Sequence, residues 1–150
     1  MENKNILSEI QTELKAPKGQ RNNFGNYNYR SAEDILEAVK PLLKKHDCAL
    51  VINDEIVGVE GRIYVKATAM LAYENQPFAS STAYAREAEA RRGMDDSQIT
   101  GSASSYARKY ALNGLFAIDD TRDADATNDH GKNSPVASTK EVATTNDDLI

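Results

Sequence analysis

The amino-acid sequence predicts an α+β fold: an antiparallel β-meander of three to four strands, packed by helices. Two segments with helical spacing of apolar residues, 31–48 and 96–118, flank a central stretch in which apolar and polar residues alternate. Strands that follow one another through short turns form an antiparallel sheet, and helices cover its apolar face. The last thirty residues are polar and almost free of aromatic side chains, which predicts a mostly disordered acidic tail. The expected division is therefore a core domain at 1–120 and a tail at 121–150.

The first two helices are predicted from the spacing of their apolar residues. Residues 4–15 place apolar side chains four residues apart, which is typical of a short amphipathic helix. In the second helix Ser31 stands where an N-cap is expected, and acidic residues follow in the first turn. Pro41 should kink this helix or begin a new turn, because proline lacks the backbone N–H. His46, at the basic end, is expected to be a solvated cation.

The segment between these helices, residues 16–30, is predicted to be a loop or turn because it contains a proline, two glycines and four asparagines. It nevertheless carries three rings and three cations. One interpretation is that the rings pin the loop to the core; the other is that they stack on nucleobases while the cations contact phosphates. These side chains are Phe24, Tyr27, Tyr29, Lys18, Arg21 and Arg30.

The central strands are predicted from two apolar runs and one alternating run. The runs "ALVIND" and "EIVGVEG" favour strands, and residues 62–73 alternate cleanly. A further strand is predicted less strongly in "FASSTAYARE". The face of 62–73 expected to be buried carries Ile63, Val65, Ala67, Ala69, Leu71 and Tyr73.

The last helix is predicted to begin at Asp96 or Ser97. One row, formed by Ile99, Ala103, Tyr106 or Ala107, and Tyr110, is expected to face the core. Arg108 and Lys109 should project outward. The many small residues of "TGSASSYARKYA" would let this helix lie close to a sheet or to a neighbouring subunit.

No enzyme signature is found. The segment "TGSASSYARKYA" lacks the Gly-Lys-Ser/Thr of a nucleotide-binding loop, and "DADAT" lacks the apolar strand that precedes a phosphatase nucleophile. Two histidines and one cysteine are too few for a usual zinc site. A solvated acidic hinge at 119–123 is favoured over a weak Mg²⁺ site. We therefore expect no catalytic residue, no metal and no cofactor.

Charge is distributed unevenly along the chain. Residues 119–150 carry eight acidic and three basic side chains, whereas residues 1–118 have a net charge of zero. The acidic overall balance therefore does not exclude a nucleic-acid partner for the core. The single cysteine fits a reducing cytoplasm, and neither a membrane span nor a secretory leader is predicted.

Two stretches resemble a known family. "YNYRSAEDILEAVKPLLKKHDCAL" and "GMDDSQITGSASSYARKYALNGLFAIDDTRDAD" are similar to the Erf family of bacteriophage and prophage recombination proteins, and the likeness covers residues 1–126. The resemblance implies a protein of the bacterial host cytoplasm that binds single-stranded DNA and anneals complementary strands without ATP, often as a ring or filament of identical subunits. It also implies a β-β-β-α core like that of the annealing recombinases. The short tail departs from the family pattern, since no second domain is evident after the second stretch.

Annealing requires each strand to be held by its backbone, so that the base edges stay free to find a complement. On this hypothesis "REAEARRG" is a mobile basic segment, although a solvated loop with internal Glu–Arg pairs is the alternative. The tyrosines would stack on bases, and oligomerisation would align the weak grooves of nearly neutral subunits. The proposed DNA-binding residues are Lys18, Arg21, Tyr27, Tyr29, Arg30, Arg86, Arg91, Arg92, Tyr106, Arg108 and Lys109.

The tail carries a separate hypothesis. Its acidic and apolar tip, Asp147, Asp148, Leu149 and Ile150, could dock on a host single-strand-binding or replication protein, cover the chain's own groove, or simply aid solubility. Two alternative functions remain open for the whole protein. It could coat single-stranded DNA passively, or it could be a phage interaction protein that acts on host repair factors.

Overall fold

The computed structural model describes residues 5–90 and 92–119. In these ranges the predicted α+β class is confirmed, with three strands in the main sheet and a second, two-stranded sheet before it. The predicted tail lies outside the described residues, so the boundary at 120 stays a prediction. The elements are α1 (Ile6–Glu13), β1 (Gln20–Asn22), β2 (Tyr27–Tyr29), α2 (Ala32–Lys45), β3 (Cys48–Val59), β4 (Arg62–Tyr73), β5 (Gln76–Arg86) and α3 (Asp96–Phe116).

The main sheet is an antiparallel meander with the strand order β3-β4-β5. Both of its turns are two residues long and have positive φ at both positions: 49° and 81° at Glu60 and Gly61, 53° and 67° at Glu74 and Asn75. Such turns match the right-handed twist of the strands they join. Helix α3 lies over β4 and β5, and α2 lies against β3 and α3.

The alternation predicted for β4 is confirmed in its central part. Val65, Ala67, Ala69 and Leu71 are at most 1% exposed on the face that the helices cover. The two end residues of the row behave differently: Ile63 is 40% and Tyr73 36% exposed. These two residues lie at the ends of the strand, where the helices cover the sheet face incompletely.

The interface between α3 and the sheet is built from alanines. Ala103, Ala107 and Ala111 of α3 are at most 5% exposed, and they belong to the same apolar cluster as the alanines of β4 and β5. The placement of Tyr110 in the core was wrong, because its side chain is 48% exposed. Helix α3 lies so close to the sheet that alanine side chains fill the space between them. A phenol ring does not fit there, so the buried row passes through Ala107 and Ala111 instead.

Helix α1 is joined to both longer helices. Ile10 is fully buried, and the side-chain amide of Gln11 donates to the Leu115 carbonyl at 2.9 Å. His46 is not solvated as expected, since its side chain is only 11% exposed and lies 3.2 Å from the Glu13 carboxylate. Hydrogen bonds from Lys45 and then from His46 lower the pKa of Glu13. Helix α2 continues through Pro41 without a break.

Within the described part of the chain, no helix is long and apolar enough to cross a bilayer. The same ranges hold no group of three histidine, cysteine, aspartate or glutamate side chains placed to share a metal ion. The acidic segment in which Mg²⁺ binding was weighed begins at Asp119, and the rest of it lies outside the described residues.

Candidate nucleic-acid interface

The aromatic segment between α1 and α2, predicted to be a loop or turn, contains a short β-hairpin whose two strands are joined by a turn. Gln20 pairs with Tyr29 and Asn22 with Tyr27, and the turn has positive φ (59°) at Asn26. Asparagine tolerates this conformation better than most residues, which accounts for Asn26, one of the four asparagines of the segment. The rings of Tyr27 and Tyr29 meet edge to face with centroids 6.1 Å apart.

The hairpin is fixed to the beginning of α2 by the cap of that helix. The Ser31 hydroxyl accepts from the Asp34 N–H at 3.1 Å, while the Asp34 carboxylate accepts from the Ser31 N–H at 2.9 Å. The same carboxylate accepts from the side-chain amide of Gln20, on β1, at 3.2 Å. The hydrogen bond from the Ser31 backbone is the main cause that lowers the pKa of Asp34. One carboxylate therefore caps a helix and holds the hairpin beside it.

Helix α3 turns a second stripe of side chains toward the hairpin. Ser102, Ser105, Tyr106, Lys109 and Tyr110 recur at the three- and four-residue spacing of one helix face. Tyr106 and Tyr110 stack with ring centroids 6.4 Å apart and planes inclined by 12°. Because Ala103, Ala107 and Ala111 occupy the helix face that packs on the sheet, these two rings stay half exposed.

Hairpin, α2 and α3 together enclose an open cleft of about 620 Å³. Five of the proposed DNA-binding residues come together there: Tyr27, Tyr29, Arg30, Tyr106 and Lys109. The remaining lining residues are mostly polar or small, and Glu33 is the one acid of this lining. The lining is completed by Asn22, Asn28, Ser31, Ala32, Glu33, Ser102, Ser105 and Tyr110.

Lys109 connects the two walls of the cleft. Its ammonium lies 5.7 Å from the ring centroid of Tyr29 on the hairpin and 5.5 Å from that of Tyr110 on α3. Both distances are within the range of a cation–π interaction, which orders the ammonium between the two rings. An anion that enters the cleft therefore meets a positioned positive charge between aromatic faces.

Two other predicted cations, Arg108 and Arg21, donate hydrogen bonds to side chains of the protein itself. Arg108 lies on a different face of α3, and its Nε donates to Asp54 of β3 at 3.1 Å. Ser104 donates to the same carboxylate at 2.5 Å. Arg21 braces the hairpin through hydrogen bonds to the side chains of Asn28 and Asn26.

The other predicted residues lie outside the main cleft or outside the described ranges. Arg86, at the end of β5, lines an adjoining cleft of about 330 Å³ that shares Ser102, Tyr106 and Tyr110 with the first. Lys18 precedes the hairpin and Arg92 lies in an exposed turn before α3. Arg91 and the tail residues Asp147, Asp148, Leu149 and Ile150 lie outside the described residues.

Sequence reasoning missed Tyr110, Ser102 and Ser105 as lining residues. The signal was present in the spacing 102, 105, 106, 109 and 110, which is one face of a helix. It was obscured because Tyr110 follows Ile99 and Ala103 at helical spacing and was therefore assigned to the core.

Fold and cleft together define a class: a small α+β protein in which helices cover one face of a three-stranded meander, and an aromatic hairpin faces the longest helix across a cationic cleft. The family model that describes the ERF superfamily matches residues 4–148 of this chain. The chain therefore belongs to the ERF superfamily.

A named relative supports the same assignment. The chain is 54% identical over 136 residues to the Essential recombination function protein of Salmonella phage P22, a match that covers 91% of this chain and 64% of the relative. The chain thus spans less than two thirds of that protein's length. No solved structure matches the chain.

Proposed function

We propose that this protein acts in phage recombination by binding single-stranded DNA and annealing complementary strands, in the cytoplasm of the bacterial host. Membership of the ERF superfamily and the name of the P22 relative support a role in recombination. The observation that carries DNA binding is the convergence of four tyrosines with Lys109 and Arg30 on one cleft. Aromatic rings combined with cations are the usual means of holding a single strand without reading its sequence.

The cleft fits a polymer better than a small enclosed ligand. The volume of the cleft alone does not decide between a polymer and a small ligand, because small-molecule pockets span the same range of volumes. It is open, however, and the cleft that contains Arg86 continues on the other side of the Tyr106–Tyr110 pair. A chain of nucleotides can follow such a surface, with bases on the rings and phosphates near the cations.

Annealing in this proposal is not enzymatic. Backbone contacts hold a strand while its base edges remain free, so pairing needs no bond to be broken and no cofactor. Because the core carries no net charge, we also propose that several subunits act together, as a ring or filament, so that weak contacts add along one strand. Docking of the tail on a host single-strand-binding or replication protein stays a prediction.

Lys109→Gln, with Lys40→Gln as a matched control, tests DNA binding at the cleft. Lys40 lies on α2 and pairs with Glu37 at 3.8 Å. We expect the Lys109 variant to bind labelled oligo(dT) more weakly, and its plot of log K against log[salt] to be less steep by about 0.7, the value of one phosphate contact in single-stranded DNA. Fluorescence anisotropy at several salt concentrations measures both quantities. Equal affinity and slope in the two variants would place the DNA elsewhere.

A further inference from the structure

A phenylalanine ring at the tip of the hairpin is exposed to solvent almost completely. Phe24 is 99% exposed, more than any other large apolar side chain in the described part of the chain. Phenylalanine is among the residues most often buried in folded proteins. The cleft does not include this ring, so the contacts described above do not account for it.

The turn that carries Phe24 is firmly built. The Asn22 side-chain oxygen accepts from the N–H groups of Phe24 and Gly25, each at 2.9 Å, and its amide donates to the Tyr27 hydroxyl at 2.9 Å. A Cβ added at Gly25 would lie 2.4 Å from the ring of Tyr27, so only glycine leaves that ring in place. The backbone that presents Phe24 is thus tied to a side chain that lines the cleft.

The surroundings of the ring are polar. Its neighbours along the turn are Asn22, Asn23, Gly25 and Asn26. Surfaces that dock other proteins are usually contiguous apolar patches, whereas a single ring on a polar tip resembles the wedges that nucleic-acid-binding proteins insert between bases.

We propose that Phe24 inserts between neighbouring bases of the single strand held in the cleft. This inference rests on the proposed function, since it assumes that a strand lies beside the hairpin. The ring has no hydrogen-bonding group, so it stacks on any base and adds no sequence preference. A ring between two bases contacts their faces and leaves their hydrogen-bonding edges free, where a complementary strand can reach them.

Tryptophan fluorescence gives a direct test, because the chain contains no tryptophan. Phe24→Trp introduces a single indole at the tip, and Phe78→Trp introduces one at a matched control position. Phe78 is 44% exposed on β5, about 20 Å along that strand from Tyr84 at ~3.3 Å per residue. Oligo(dT) is titrated into each variant, and its binding is followed independently by anisotropy of a labelled oligonucleotide.

Stacking of the indole on bases quenches its fluorescence. We expect oligo(dT) to quench Phe24→Trp and to leave Phe78→Trp unchanged. We also expect Phe24→Ala to bind oligo(dT) about fivefold or more weakly with an unchanged Tm, because a fully exposed ring contributes little to the core. Phe24→Leu should recover only part of this loss, since leucine can insert between bases but has no ring to stack on them.

Three outcomes would overturn the inference, and they can be told apart. If no variant and no wild-type protein binds oligo(dT), the proposed function itself is wrong. If binding depends on Lys109 but the indole at position 24 is not quenched, only the wedge is wrong. If the indole signal changes with protein concentration in the absence of DNA, and Phe24→Leu behaves as wild type, the ring contacts a second protein chain instead.

Discussion

At the scale of single residues, the position of Lys109 explains how a neutral core can present a positive site. Its ammonium lies between the rings of Tyr29 and Tyr110, and Arg108, the preceding residue, lies on another face of the helix beside Asp54. Adjacent basic residues of one helix thus have different roles. The helix face on which each lies decides whether its charge faces the cleft or the sheet edge.

Tyr110→Ala tests the cleft at the residue that sequence reasoning had placed in the core. We expect single-stranded DNA to bind about 5- to 150-fold more weakly, corresponding to ~1–3 kcal/mol for a lost stacking platform. The free energy of unfolding should change little, because the ring is half exposed. Tyr73→Ala, at the far end of β4 and 36% exposed, is the control. The placement is refuted if Tyr110→Ala unfolds the protein and leaves the affinity of the folded fraction unchanged.

The two placements of Tyr110 differ for a physical reason. Periodicity predicts a helix that begins at Asp96 or Ser97, which agrees with the observed start at Asp96, and it correctly places Ile99 and Ala103 on the buried face. It cannot decide between Tyr106 or Tyr110 and the alanine next to each, because that choice depends on the distance between helix and sheet. That distance is set by Ala67 and Ala69 of β4, which are distant in sequence.

At the scale of elements, close packing of α3 on the sheet positions the cleft. The alanine contacts hold the helix near β5 at its C-terminal end, where a Cβ added to Gly114 would lie 2.5 Å from the Ser81 hydroxyl oxygen. If the helix moved outward, the Tyr106–Tyr110 stripe would move relative to the hairpin. The stability of the contact between α3 and the sheet and the geometry of the cleft are therefore linked.

Two glycines of α3 provide a matched pair of substitutions. Gly101→Ala should raise the free energy of unfolding by about 0.5–1 kcal/mol, because its new methyl group meets no atom within 4 Å and alanine loses less entropy in a helix. Gly114→Ala should lower it by about 1 kcal/mol or more through overpacking. Introducing Ser81→Ala should recover part of that loss. Chemical denaturation compares these three variants with the wild type, and a stabilising effect of Gly114→Ala would contradict the close contact.

Asp34→Ala tests the joint between the hairpin and α2. At pH 7 we expect a loss of about 0.5–2 kcal/mol, as for other helix caps. The folded protein lowers the pKa of Asp34 below its ordinary value of 3.8, so this stabilisation is present above pH 3.8 and is lost as the pH falls through the lower, folded value.

The difference in unfolding free energy between wild type and Asp34→Ala should consequently shrink below about pH 4. Denaturation at pH 7, 4 and 3 measures it, with Glu33→Ala, an exposed acid of the same helical turn, as the control. A difference that stays constant over this range would show that the carboxylate charge is not what stabilises the joint.

The hairpin shows the limit of sequence patterns for short elements. Its strands have three residues each, too few for an alternating pattern to be recognised, and its asparagines are equally typical of loops. The segment's rings and cations were nevertheless correctly noted. Their meeting with α3 could not be predicted, because it depends on how α2 and α3 pack.

At the scale of the whole molecule, the distribution of charge along the chain bears on the proposal that several copies act together. Residues 1–118 have no net charge, while residues 119–150 carry −5. In this proposal the attraction of one core for a polyanion is therefore local to its cleft and is screened by salt. A strand bound by several clefts in a row gains affinity from each without a new kind of contact.

The measurement that tests the central claim most directly is the rate at which two complementary oligonucleotides pair, followed by fluorescence energy transfer without nucleotide or metal. We expect the wild-type protein to accelerate pairing, with an effect that decreases steeply between low and high salt and is reduced in Tyr110→Ala and Lys109→Gln but not in Tyr73→Ala or Lys40→Gln. A protein that binds both strands and leaves the pairing rate at its uncatalysed value would be a passive coat. That result would contradict the proposal of strand annealing.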